Sequence, residues 1–61
     1  MMAGQQIKLI AKTKHGRDRI SQHGSLRTIK EIKSDKILVG NETDLRWIDI
    51  PVDRDFVVEL S

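Results

Sequence analysis

The absence of cysteine is the tightest constraint on this 61-residue chain. Below roughly 70 to 80 residues a fold leans on disulfides, a metal, association or very regular packing. Without a thiol, disulfides and thiolate zinc sites are excluded, so regular elements around an aliphatic core must carry the structure. That core is small, because a chain of this length buries only about 60% of the surface its unfolded form exposes. Secreted domains of this size usually carry a cysteine framework, which points this chain to a reducing, cytoplasmic setting. No segment approaches the roughly 18 apolar residues of a membrane span, and MMAGQQ lacks the basic-then-apolar order of a leader peptide. No membrane partner is expected.

Period-two alternation supplies the elements. Residues 6–13, QIKLIAKT, place Ile7, Leu9 and Ala11 opposite Lys8, Ile10 and Lys12, as on a strand with one face on a core. Residues 1–5 are expected to be loosely held. Residues 14–25 hold two glycines and few apolar side chains besides Ile20, so they read as a long loop or irregular hairpin arm, with Gly16 and Gly24 permitting positive backbone angles. In residues 26–33, Leu26, Ile29 and Ile32 recur every three positions, which suits a short helix or a bulged strand. The strand is preferred, since Ser34, Asp35 and Lys36 form a turn before the β-branched run Ile37-Leu38-Val39. Turn formers at 40–44 precede LRWIDI, and Pro51 ends that strand because it has no ladder N–H to donate. A short connector then leads to FVVEL. The expected core is Ile7, Leu9, Ile20, Leu26, Ile29, Ile32, Ile37, Val39, Ile48, Ile50, Phe56 and Val58.

Five short strands suit a small all-β barrel filling residues 6–61 as one domain. The order of strand, long first loop, two meander hairpins and final strand resembles the Src-homology-3-like small barrels. The segment WIDIPVDRDFVVEL is similar to that family's entry into its last strand, with a proline-initiated single helical turn followed by an aromatic residue and valine. The resemblance implies a five-stranded barrel with a long first loop and a short helical turn before the last strand. Its peptide-binding members grip polyproline on a shelf of aromatic side chains, whereas this chain has no tyrosine, one phenylalanine and one tryptophan. Proline-rich ligands are therefore not expected, which leaves nucleic-acid binding and protein assembly among the uses of such barrels.

Charge is distributed unevenly. Residues 1–36 carry nine Lys or Arg against three acids, and residues 37–61 carry two Arg against six acids. If the fold separates these halves, one face attracts polyanions; if it interleaves them, the charges pair. Lys12, Lys14, Arg17 and Arg19 alternate, which on extended backbone places them on one side with His15 and the glycine amides close by. Guanidinium forks and backbone amides both suit phosphate oxygens. A solvated basic loop is the alternative. His15 and His23 lack the further ligands a metal needs, the acids of residues 49–59 lack a calcium-loop spacing, and no nucleophile–base arrangement appears. No catalytic residue, metal or cofactor is expected. Trp47 faces outward if Arg46, Ile48 and Ile50 face the core, and it then stacks a base or anchors a protein. In the opposite register Trp47 packs beneath the long loop.

These readings converge on a non-enzymatic nucleic-acid-binding module of low sequence specificity, its partner DNA or RNA. The expected contacts are Lys12, Lys14, His15, Arg17, Arg19 and Arg27 for phosphates, with Arg46 and Trp47 for stacking. The alternative is a protein-interaction or assembly module, including a homo-oligomer.

Overall fold

The structure is a computed structural model describing residues 1–42 and 44–60. Thr43, one of the expected turn formers, and Ser61 lie outside the described residues. Five strands and one helix follow the order β1 (Gln6–Ala11), α1 (Lys14–His23), β2 (Leu26–Ile32), β3 (Lys36–Gly40), β4 (Leu45–Asp49) and β5 (Phe56–Leu60). The strands form one antiparallel sheet, ordered β4-β3-β2-β1-β5.

Alternation places the core. Ile7 and Leu9 on β1, Ile29 on β2, Ile37 and Val39 on β3, Ile48 on β4 and Phe56 on β5 are buried, with Ile20, Ile50 and Val58 packed against them. Two expected core residues lie outside it: Leu26 is 54% and Ile32 is 41% exposed. The three-residue period that grouped them with Ile29 is not the period of this strand. On β2 the inward positions are Arg27 and Ile29, after which the ladder to β3 shifts between Ile29 and Glu31. The extra residue of that bulge moves Ile32 to the rim.

The segment expected to be a loop is a ten-residue helix. Thr13 begins it in extended backbone, its Oγ1 accepting from the Gly16 N–H at 3.0 Å. Gly24 ends it at φ 86°, with its N–H donated to the Ile20 carbonyl at 2.7 Å. A helix this short is marginal in water, so packing must hold it. Its inward face is Gly16, Arg19, Ile20 and His23, spaced as one helical stripe. Gly16 serves that packing rather than a positive φ. A Cβ there would sit 2.5 Å from the Asp55 carbonyl oxygen.

Among the described residues no strand ladder closes the expected barrel, and β4 and β5 are the two edges of the sheet. The expected helical turn before β5 is also absent, and residues 50–55 are irregular. Hydrogen-bond phase shows what each edge presents. The Lys12 N–H donates to the Asp55 carbonyl at 2.7 Å, continuing the β1–β5 register, so Val57 and Glu59 turn their backbone groups toward β1 while Phe56, Val58 and Leu60 turn theirs away. On β4, bonds from Asn41 N–H to Asp44 and from Ile50 N–H to Asp35 fix the complementary phase, with Trp47 and Asp49 facing away from β3.

Asp53 bridges these two edges. This buried carboxylate accepts the outward Asp49 N–H at 3.0 Å through Oδ1, and the Asp55 and Phe56 N–H groups at 2.9 and 3.1 Å through Oδ2. Nearby, the Arg46 guanidinium lies 4.9 Å over the Phe56 ring and 4.0 Å from Asp55 Oδ2. Side chains thus join ends that the ladder leaves open. Helix α1 spans the same opening: near its start Thr13 Oγ1 donates to Asp55 Oδ1 at 2.8 Å, and further along Arg19 pairs with Asp44. Gly4 and Gln5 meet β2 through the Gly4 N–H on the Ile29 carbonyl and the Ile29 N–H on the Gln5 carbonyl.

Candidate nucleic-acid interface

The basic side chains of residues 12–27 are not gathered into one grip. Lys12 precedes α1, and helical backbone at about 100° per residue keeps Lys14 beside Arg17 but turns Arg19 toward the inward face. Lys12 Nζ donates to the Asp53 carbonyl at 2.7 Å. Arg19 pairs with Asp44. Arg27 is 1% exposed, which withdraws it from any phosphate. Lys14, His15 and Arg17 remain exposed on the helix.

Arg27 and Asp44 form a buried structural centre. Arg27 Nη1 donates to Asp44 Oδ2 at 2.7 Å, while Nε and Nη2 donate to the Gly24 carbonyl at 3.2 and 3.0 Å. Asp44 takes Arg19 on its other oxygen. Burial alone pushes the Asp44 carboxyl up, but the Arg27 hydrogen bond and the charges of Arg19, Arg27 and His23 outweigh it and hold the group below its ordinary value. The lysine and arginine surplus of the first half is thus partly consumed by acids of the second.

Trp47 is the aromatic member of the exposed site. Its register follows Ile48, which is buried, so Trp47 lies on the outer face and is 38% exposed. Lys36 Nζ lies 5.2 Å and Lys33 Nζ 5.7 Å from its ring centroid, a cation–π arrangement. The β2–β3 turn brings the lysines there: Lys36 opens β3 and pairs with Asp49 across the ladder, and the Lys33 N–H donates to the Lys36 carbonyl at 2.8 Å. Leu38, opposite Trp47, and the 60% exposed Leu45 share that face. Arg46, expected beside Trp47 as a stacking partner, instead turns inward over Phe56.

Lys33 and Lys36 were not among the residues singled out from sequence. The hairpin that carries them was legible, and pairing its arms with LRWIDI places Lys36 diagonally beside Trp47. A groove of about 530 Å³ lies elsewhere, between β5 and residues 49–53. Among the described residues no His, Asp or Glu cluster suited to a metal occurs, and no helix is long and apolar enough to cross a membrane. No family model, curated protein or solved structure matches the chain.

Proposed function

We propose that this chain is a small non-enzymatic module of the SH3-like barrel type that binds single-stranded nucleic acid with low sequence specificity. The exposed Trp47 ring, with two lysine ammonium groups within 6 Å of its centroid, carries the reading. A base stacked on an aromatic contributes roughly 1 to 3 kcal/mol and needs no particular sequence, while the lysines take the flanking phosphates. Lys14, His15 and Arg17 on α1 offer a second, separate cationic patch. The barrel assignment is supported by the strand order and by the side-chain bridge that Asp53 and Arg46 make between the sheet's edges.

Two phosphate contacts on a single strand release few counterions, so affinity should fall only about sevenfold between 50 and 200 mM salt, and about fiftyfold if Lys14 and Arg17 join. Titrating labelled single-stranded DNA, single-stranded RNA and duplex DNA while following Trp47 fluorescence tests this. Quenching by single strands that is lost on joint replacement of Lys33 and Lys36 by alanine supports the site. Unchanged fluorescence with every nucleic acid at 50 mM salt refutes it.

A second reading, protein interaction, is favoured by a different observation. Val52, Val57 and Leu60 are 70%, 49% and 50% exposed around the open edge of β5.

A further inference from the structure

The outer face of the sheet gives the Trp47 ring a polar side and an apolar side. On the polar side the Lys33 N–H donates to the Lys36 carbonyl at 2.8 Å and Lys36 stands opposite Asp49, so Lys33, Lys36 and Asp49 form one row from the end of β2 across β3 to β4. On the apolar side are Leu38, opposite Trp47, and the exposed Leu45, two residues back along β4. Ile48 is buried, so Trp47 and Asp49 share the outer face, about 7 Å apart along the strand. A nucleotide stacked on this ring therefore has a preferred direction. Its phosphate goes to the lysines and its base to the leucines, and the sugar that joins them comes beside Asp49.

Asp49 is exposed, and among the described residues its carboxylate enters no hydrogen bond and no ion pair. Its backbone is held, because its N–H donates to Asp53 Oδ1 at 3.0 Å. A fixed backbone thus presents a free acceptor next to the ring. Glu31, opposite Leu38, adds a second carboxylate to this face, and Lys30 at the bulge adds a third ammonium. With Lys30, Lys33 and Lys36 set against Glu31 and Asp49, little net charge remains to attract a polyanion. Recognition here needs more than Coulomb attraction. A carboxylate placed near a phosphate repels it unless the ligand also gives that carboxylate a hydrogen bond. Within a strand, the sugar of RNA has such a donor in its 2′-hydroxyl and the sugar of DNA has none.

We propose that the ligand of the Trp47 face is single-stranded RNA, and that Asp49 accepts a hydrogen bond from the ribose 2′-hydroxyl of the stacked nucleotide. This rests on the Trp47 reading above and adds the sugar to it. Every ribonucleotide carries the hydroxyl, so the contact is indifferent to base sequence. It acts by exclusion as well as attraction, because deoxyribose leaves the carboxylate beside a phosphate with no compensating donor. One hydrogen bond to a charged acceptor should favour RNA by about tenfold.

The test uses the full chain and hexamers of uracil nucleotides built on ribose, deoxyribose or 2′-O-methylribose, with Trp47 fluorescence followed at about 50 mM salt. Only the sugar differs among the three. The ribose hexamer should bind about tenfold more tightly than either of the others, since the O-methyl group keeps the oxygen but has no hydrogen to donate. Asp49→Ala should bring all three within about twofold of one another, and Asp49→Asn, which keeps an acceptor oxygen, should retain part of the preference. Both variants preserve the amide that holds β4 to Asp53. Equal quenching by the three hexamers would overturn the sugar assignment and leave the Trp47 reading standing, and so would a preference that survives Asp49→Ala. Cytosine or guanine deoxyhexamers bound as tightly as the uracil ribose hexamer would assign Asp49 to a base amine and overturn it as well. No quenching by any hexamer would remove the Trp47 reading and this proposal with it.

Discussion

Replacing Asp53 with alanine should cost a large share of the fold's stability. Its carboxylate satisfies three amides, those of Asp49, Asp55 and Phe56. Asp49 is exposed and Asp55 half-buried, so water can recover much of their loss, at about 0.5 to 1 kcal/mol each. Phe56 is 1% exposed, and an unsatisfied amide there costs about 1 to 3 kcal/mol. The total is about 2 to 5 kcal/mol, against a stability of about 3 to 9 kcal/mol for a chain of this size. Thermal unfolding followed by circular dichroism should show the midpoint falling by at least about 8 °C, since each kcal/mol moves a small domain by about 4 to 8 °C. Asp53→Asn keeps one acceptor oxygen and should recover about half of the loss. If Asp53→Ala unfolds within 1 kcal/mol of the parent in urea, the carboxylate is not the bridge between β4 and β5.

Other consequences are separable. Asp44 is held below its ordinary range, so its contribution is complete above about pH 4 and vanishes as pH falls through the folded value. Urea midpoints measured from pH 7 to 2 should show that loss, and Asp44→Asn should flatten it. At pH 7, Asp44→Ala should cost about 3 to 5 kcal/mol by leaving the buried Arg27 uncompensated. Gly16→Ala should destabilise by about 1 to 3 kcal/mol despite the better helix propensity of alanine, because its Cβ meets the Asp55 carbonyl; a more stable variant in urea would contradict that contact. Joint Lys33→Ala and Lys36→Ala replacement should reduce the single-strand salt slope by about 1.4 while changing stability little, as fluorescence titrations at several salt concentrations would show.

The strands were legible because alternation and turn residues are local signals. Ile7 and Leu9, and Ile37 and Val39, follow from period two, whereas alternation left Trp47 between two registers that the pairing of β4 with β3 decides. Helix α1 was not, because the stripe that packs it consists of Gly16, Arg19, Ile20 and His23, and three of these four carry no hydrophobic signal. Its caps, Thr13 and Gly24, were the available cue. The phosphate contacts were misplaced as well: Arg17 and Arg19, an odd number of positions beyond Lys12 and Lys14, take the opposite side of a strand, whereas on the helix Lys14 and Arg17 become neighbours and Arg19 turns inward. Arg27 was misread for another reason. Its burial depends on Asp44, 17 residues away, and on the Gly24 carbonyl, neither of which a local pattern connects to it.

The anchors of α1 set the order in which structure can persist. Thr13 reaches across 42 positions to Asp55, and Arg19 across 25 to Asp44. A ten-residue helix nucleates within about a microsecond but also melts that fast when it stands alone. Only chains in which residues 44 and 55 have already arrived can retain it. Helicity in this protein is therefore a late reporter of tertiary closure, although it belongs to the most local element, and its signal should rise and fall with that of the sheet in one cooperative transition.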